Sequence, residues 1–448
     1  MNTHQASTKK RYPIRNLTRI MVLTRITVIL TAFVCTLTFL FLPNDSFSNP
    51  AAANSFAAPA DTTRSENEPY TSGKSLGGHL LALPSYLFQW STWPLEAGFK
   101  QAETNLLPYL LEGERGDYGV FPLFELGGAT GYSYGLLLFH NRPFYQNHSA
   151  RIEALFGSSD YNDFDFDYDI NRFLSDRGRL EIEATYGNSP DRTFLFGNDA
   201  PFSDRSFFDR EDIEAGIRYG YSMSDRAALL FNADYLRRKI TQSDRVTEEN
   251  APAFPTTFLT TNSLLSTGIQ VSLDNARGVP RINRGYRLIT DLQWSRSLMN
   301  NRFHYFNYRA EWNQFIPIPF LPDNRRFAFK GELRKAEPLR GKEVPFFENP
   351  SLGSSRDLRG FSTDRFRESG SLLFTLEYRY PLWDFSDVVL FIDEGQVFNK
   401  YSDIGINDFH TSYGFGFHLI SSKGFAFRSE FAFSRETSRF ILLISPNF

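Results

Sequence analysis

Three features of the chain have the residue types and spacing to suggest chemistry. Gly-Tyr-Ser-Tyr-Gly at 131–135 has the Gly-x-Ser-x-Gly form of a hydrolase elbow, with Ser133 as nucleophile. That chemistry needs a strand, a strained turn and a helix behind the serine. Here the flanks read instead as two strands joined by a tight, glycine-rich hairpin that holds Ser133. The second feature is DFDFDYD (163–169), whose acids suggest a calcium loop. A calcium loop wraps its oxygens round one ion, whereas alternate carboxylates on a strand are spread along one face. Asp163, Asp165, Asp167 and Asp169, with Glu181 and Glu183, therefore predict an acidic patch, with Arg218, Arg334, Arg379 and Arg428 available to balance it. The third is the histidine set His79, His140, His148, His304, His410 and His418, which shows neither metal-ligand spacing nor a Ser/His or Asp/His constellation. No catalytic residue, metal or cofactor is expected, and the chain does not read as an enzyme.

All three depend on the elements that carry them, and those elements read as strands. In FAFRSEFAFS (425–434) the odd positions Phe425, Phe427, Ser429, Phe431 and Phe433 alternate with Ala426, Arg428, Glu430, Ala432 and Ser434. Strand side chains alternate between faces, so one face is greasy and the other polar or small. In 162–172 the residues Phe164, Phe166, Tyr168 and Ile170 oppose the four aspartates, and in 324–336 Phe327, Phe329 and Leu333 oppose Lys330, Glu332 and Arg334. Sixteen such strands are predicted: 119–129, 133–142, 149–158, 162–172, 177–187, 209–222, 225–240, 262–274, 285–296, 303–317, 324–336, 368–381, 387–399, 409–420, 423–434 and 438–448. If the first runs outward, the outer loops include the long 188–208, 241–261 and 337–367, and the inner turns include the short 143–148, 223–224, 318–323 and 421–422. An even strand count with that asymmetry predicts an all-β fold, a sixteen-stranded antiparallel transmembrane barrel, apolar towards lipid and polar in the lumen. Closure satisfies every backbone group that lipid cannot.

Composition agrees. There are 46 Phe and 21 Tyr among 448 residues, yet mean hydropathy is only −0.35, as a polar lumen and loops would give. The N-terminus stands apart: Lys9, Lys10, Arg11, Arg15, Arg19 and Arg25 precede the apolar run 26–42, and small residues follow at 51–53 and 57–60. That order predicts a secretory signal peptide over 1–53, with cleavage as late as 60 as the alternative. The only cysteine, Cys35, would leave with it. Cleavage after Ala53 takes Lys+Arg from 48 to 42 and Asp+Glu from 51 to 50, a net charge of −8 that does not suit nucleic-acid binding. Residues 54–118 read as a linker and a short periplasmic segment, with Trp90, Trp93 and a short helix near 95–107, and the barrel occupies 119–448.

The longest outer loop contains LGSSRDLRGF (352–361), and a following strand contains LFIDEGQVFN (390–399). These resemble two signature motifs of the BamA/TamA outer-membrane assembly superfamily, the bacterial surface antigen barrels. VSLDNARGVPRINRGYRL (271–288), EYRYPL (377–382), YGFGFHL (413–419) and the terminal Phe448 fit the same resemblance. It is strong over 265–448 and rests on strand count alone over 119–264. It implies that the long loop folds into the lumen and that Arg359, in Arg359-Gly360-Phe361, meets an acid on a later strand. Parity supports Asp393: if Val388, Leu390 and Ile392 face lipid, Asp393 and Gly395 face inward. Glu377, inward on the preceding strand, is a second partner. The resemblance also implies a C-terminal assembly signal on Phe440, Leu442, Ile444 and Phe448, interrupted by Pro446.

Two departures stand out. The usual Gly-Gly before the Arg motif is Gly353-Ser354, and residues 54–117 are too few for the POTRA domains that receive client chains in assembly members. The resemblance implies protein insertion into, or translocation across, the outer membrane of a Gram-negative cell, with outer-membrane lipid and client outer-membrane proteins as partners. A pore with a loop plug, or an anchor for a separate periplasmic chain docked on 73–117, are the alternative expectations.

Overall fold

The computed structural model describes residues 117–446 apart from 129–130, 250, 278–281, 300, 319–324, 384 and 421–424, together with 94, 97–98 and 100–101. The expected signal peptide, Trp90, Trp93, Phe448 and most of 54–116 lie outside the described residues, whereas 94, 97–98 and 100–101 have helical backbone. Among the described residues no helix is long and apolar enough to cross a membrane.

The chain runs through β1 (Tyr118–Gly128), β2 (Gly131–His140), β3 (His148–Gly157), β4 (Asn162–Asn171), β5 (Gly178–Phe194), β6 (Ser206–Ser224), β7 (Ala227–Gln242), β8 (Thr261–Asp274), β9 (Gly285–Ser297), β10 (His304–Pro317) and β11 (Arg326–Pro338). Two short strands, β12 (Ser351–Leu352) and β13 (Phe366–Arg367), pair within the next loop. β14 (Gly370–Trp383), β15 (Ser386–Phe398), β16 (His410–Ile420), β17 (Phe425–Ser434) and β18 (Ser438–Pro446) complete the wall. The other sixteen strands, all but β12 and β13, close into one antiparallel barrel, each beside its sequence neighbours, with β11 joined to β14 and β1 to β18.

The alternation read from sequence is the alternation that forms. Leu136, Leu138, Ile217, Phe231, Leu390, Ile392, Phe415 and Phe431 are exposed on the outer face, while Asp393, Ser412, Glu430 and Ala432 between them are fully buried. Aromatic neighbours brace the outside, such as Phe431 and Phe440 with ring centroids 4.8 Å apart and Trp312 and Phe329 at 5.4 Å. The loop after β15 holds a 3-10 turn at Ile406–Asp408.

The expected loop 188–208 is shorter in the structure, because β5 runs on to Phe194 and β6 begins at Ser206. Pro190 and Asp191 signal a turn in sequence, but the ladder absorbs them as a bulge between Ser189 and Arg192 and then resumes with Arg192–Phe208 and Thr193–Phe207. A bulge tolerates the missing proline donor. Beyond it Phe194 packs with Phe208, Phe254 and Phe346. Burying those rings stabilises the extension.

The seam that closes the barrel differs from the other ladders. Its register runs from Phe124–Ile444 to Leu126–Leu442 and no further among the described residues. The β5–β6 ladder, by contrast, runs from Gly178–Tyr221 to Phe194–Ser206.

Candidate functional site

β15 sets the site. Asp393 points into the lumen between its in-register neighbours Thr375 on β14 and Ser412 on β16. Both hydroxyls donate to its carboxylate, at 3.0 and 2.9 Å. The loop 339–369 folds inward and delivers Arg359 to it. Arg359 donates from Nε and Nη2 to the two Asp393 oxygens at 3.0 and 2.8 Å, and its backbone N–H donates to the same carboxylate at 3.1 Å. This is a two-pronged guanidinium–carboxylate pair, the strong form of such a bond. Nη1 reaches Glu377 Oε1 on β14 and Glu430 Oε1 on β17, both at 3.0 Å. The guanidinium lies 3.5 Å over the Phe391 ring, a cation–π contact.

One cation among three buried carboxylates would leave excess negative charge in a dry setting, which is costly. The surroundings restore the balance. Arg379 donates to Glu377 at 2.9 Å, His418 Nε2 meets Glu430 at 2.7 Å, and Arg428 Nε lies 3.6 Å from Glu430. Three arginines, Arg359, Arg379 and Arg428, thus face the three acids Asp393, Glu377 and Glu430. The YGFGFHL segment makes the room. A side chain at Gly414 would meet the Phe391 ring at 2.5 Å, and one at Gly416 would meet Glu430 Cγ at 2.6 Å.

The rest of the motif is also packed in. A Cβ on Gly360 would lie 2.7 Å from the Phe433 carbonyl of β17, so the loop backbone rests directly on the wall. Phe361 is fully buried with Leu352, Leu358, Phe366, Leu373 and Val397. Its ring meets Phe366 edge-on at 5.1 Å, and Phe366 stacks on His410 at 3.9 Å. Leu358 takes φ 43°, a left-handed conformation rare for a branched side chain. Gly395 lies beside Leu352 and Leu358.

The neck of the loop is held separately. Asp364 pairs with Arg192 and with Arg367 at 3.2 Å, and accepts from Ser351 at 2.7 Å. These partners outweigh the burial that opposes them, and Asp364 is held below the usual carboxylate range. Arg365 makes a two-pronged pair with Glu436 at 2.7 and 2.9 Å.

Of the expected site residues, the structure brings Arg359, Gly360, Phe361, Asp393, Glu377 and Gly395 to one place. Phe440, Leu442 and Ile444 lie along β18, with Leu442 and Ile444 in the seam register. Glu430, Phe391, Ser412, Thr375 and His418 complete the site and were not singled out from sequence. Glu430 had a signal, as the one acid on the inward parity of FAFRSEFAFS.

Ser133 is not in a hairpin turn. It lies within β2, buried and in register with Glu125. The acidic patch is balanced differently from expectation. Arg218 does pair with Glu183, but Arg179 and Arg151 serve Asp169, at 2.5 and 3.8 Å, while Arg334, Arg379 and Arg428 pair with Glu332, Glu377 and Glu430. The carboxylates of Asp167, Glu181 and Glu183 come within 4.8 Å of one another. Arg218 and Arg179 draw that group into ion pairs.

Comparison with known proteins follows the same lines. Among solved structures, the chain is similar to BamA from Haemophilus ducreyi, determined without POTRA domains 1–3. Identity is 14%, over 74% of this chain and 70% of that one, with a TM-score of 0.55. It is similar to CdiB from Acinetobacter baumannii at 12% identity over 73% and 60% of the two chains, TM-score 0.51. CdiB from Escherichia coli stands at 12%, over 74% and 63%, TM-score 0.50. At such identities the likeness is one of fold. No curated protein sequence matches the chain. The sequence itself decides membership: the pattern of the Omp85 superfamily domain matches residues 144–442, from the turn before β3 to β18 and well over half the chain, and the protein belongs to the Omp85 superfamily.

Proposed function

We propose that this barrel inserts proteins into the outer membrane, or passes them across it, using the β1–β18 seam as its working edge. The observation that carries this reading is the short seam register, Phe124–Ile444 to Leu126–Leu442. An unpaired strand edge offers a row of N–H and C=O groups, and in lipid each unmet group is expensive. A seam that parted at this short register would expose such edges on β1 and β18, and an incoming client strand would satisfy them by β-augmentation. Membership of the superfamily, and likeness to BamA and CdiB, support an assembly or transport protein rather than an enzyme, sited in the outer membrane with lipid and client chains as partners.

The lumen favours a sideways route over a simple pore. The apex of loop 339–369 enters it beside β14, β15 and β17 and is fixed there by a buried ion-pair network. Depletion in cells is the test. Unassembled outer-membrane proteins, or a secreted protein retained in the periplasm, should accumulate. A variant carrying Leu126→Cys and Leu442→Cys should reproduce that defect when oxidised and lose it on reduction. Ion conductance with normal client assembly would establish the plugged pore instead. Co-purification of a periplasmic chain, again with normal assembly, would establish the anchor.

A further inference from the structure

At its long-loop end, the seam is closed by a side chain rather than by a ladder. β1 carries a register shift between Leu126 and Gly128, and Gly127 takes φ +82°. A Cβ there would lie 2.5 Å from the Phe440 carbonyl, so β1 and β18 touch backbone to backbone without pairing. The Gly127 carbonyl, turned out of register, accepts instead from Nη2 of Arg439 on β18. The other nitrogen of the same guanidinium, Nη1, reaches the inserted loop: it donates to the Phe361 carbonyl and lies 3.3 and 3.4 Å from the carbonyls of Ser354 and Arg359. One planar fork thus holds β1 with one prong and the Arg-Gly-Phe motif with the other.

A second fastener crosses the same gap. Ser355, at the loop apex, donates through Oγ to Glu125 Oε1 of β1 at 2.7 Å, while its carbonyl accepts from Arg428 of β17. Glu125 stands in the seam register opposite Leu443. The loop apex therefore spans the seam, attached to β1 on one side and to β17 and β18 on the other.

We propose that this apex is a clasp, with Arg439 as its positioning residue, so that the seam cannot separate until the Arg359 motif lets go. This deepens the reading of the seam as the working edge by naming what controls it. The coupling is reciprocal by thermodynamic necessity: what frees the loop favours the open seam, and what opens the seam frees the loop.

The experiment uses the full chain in lipid nanodiscs, spin-labelled at Leu126→Cys and Leu442→Cys, with the inter-label distance read by pulsed electron resonance. Arg439→Ala should enlarge the long-distance population at least tenfold, and Arg359→Ala, which touches neither label, should do the same. Should Arg439→Ala fail to fold, Ser355→Ala with Glu125→Gln removes the second fastener and should show a smaller shift in the same direction. Protease cleavage beside Arg356 reports loop release independently. A freed, cleavable loop in Arg359→Ala with the label distance unchanged would overturn the clasp. This readout needs no client, so it can fail while the assembly function stands, and the depletion test can fail while the clasp stands.

Discussion

Arg359 is the residue on which most of the site converges. Truncating it strands the buried Asp393 carboxylate and removes one of the cations that face Glu377 and Glu430, and breaking a buried pair typically costs about 3–5 kcal/mol. Arg359→Ala is expected to lower the unfolding midpoint accordingly, and Asp393→Ala nearly as far. In a double-mutant cycle the combined loss should fall short of the sum of the singles, and strict additivity would show that the two side chains act independently. Gly360→Ala tests the close approach to the Phe433 carbonyl. Overpacking of this kind costs roughly 1–3 kcal/mol, so the loop should become protease-sensitive while the wall stays β-structured by circular dichroism.

The acid at the loop's neck makes a pH-dependent contribution. Because Asp364 is held below its usual carboxylate value, its stabilisation is fully present above the unfolded value near 3.8 and is lost as pH falls towards the depressed folded one. Protection of loop 339–369 from an acid-stable protease should therefore decline below about pH 4 in the parent chain, as the shifted titration requires. In Asp364→Asn protection should be weaker throughout and lack that component. Equal acid sensitivity in both would remove Asp364 from the account.

Elements were legible to within a few residues wherever lipid imposes a strict period of two. β4 shows this plainly, with its aspartates on one parity and apolar side chains on the other, and in β15 Val388, Leu390 and Ile392 share the parity opposite Asp387 and Asp393. Legibility failed where lipid no longer sets the pattern. The extension of β5 and β6 carries Asp, Arg and Pro and is stabilised by the aromatic group Phe194, Phe208, Phe254 and Phe346, whose members come from separate loops and strands. No local spacing announces that meeting. The site divided in the same way. Parity placed Asp393 and Glu377 inward, but Glu430 reaches Arg359 across β16, and that depends on two strand registers and on the space left by Gly414 and Gly416. Phe346→Ala should cost about 3–5 kcal/mol locally, the usual range for a buried Phe. It should expose the loops to protease without moving the barrel's own unfolding. Simultaneous loss of both would show that the extension belongs to the barrel's cooperative unit.

At the scale of the whole molecule, a closed ladder of sixteen strands predicts slow, cooperative unfolding in detergent. Heat-modifiable gel mobility and a β-type circular dichroism spectrum are the expected signatures. Recovery of the barrel with the inner membrane would contradict the assignment.

The circumference is mechanically uneven. β5, β6 and β7 have 17, 19 and 16 residues, well beyond the roughly 9–11 that cross a bilayer. β17 and β18 have 10 and 9. The barrel therefore has a tall, stiff flank about a third of the way round and a low, compliant one at the join between its ends. Lateral tension in a bilayer strains a closed ring most where its hoop is weakest, and here that is the join. A rise in membrane tension, or a local thinning of the lipid, acts on this protein as a wedge whose point of entry the strand lengths have already chosen.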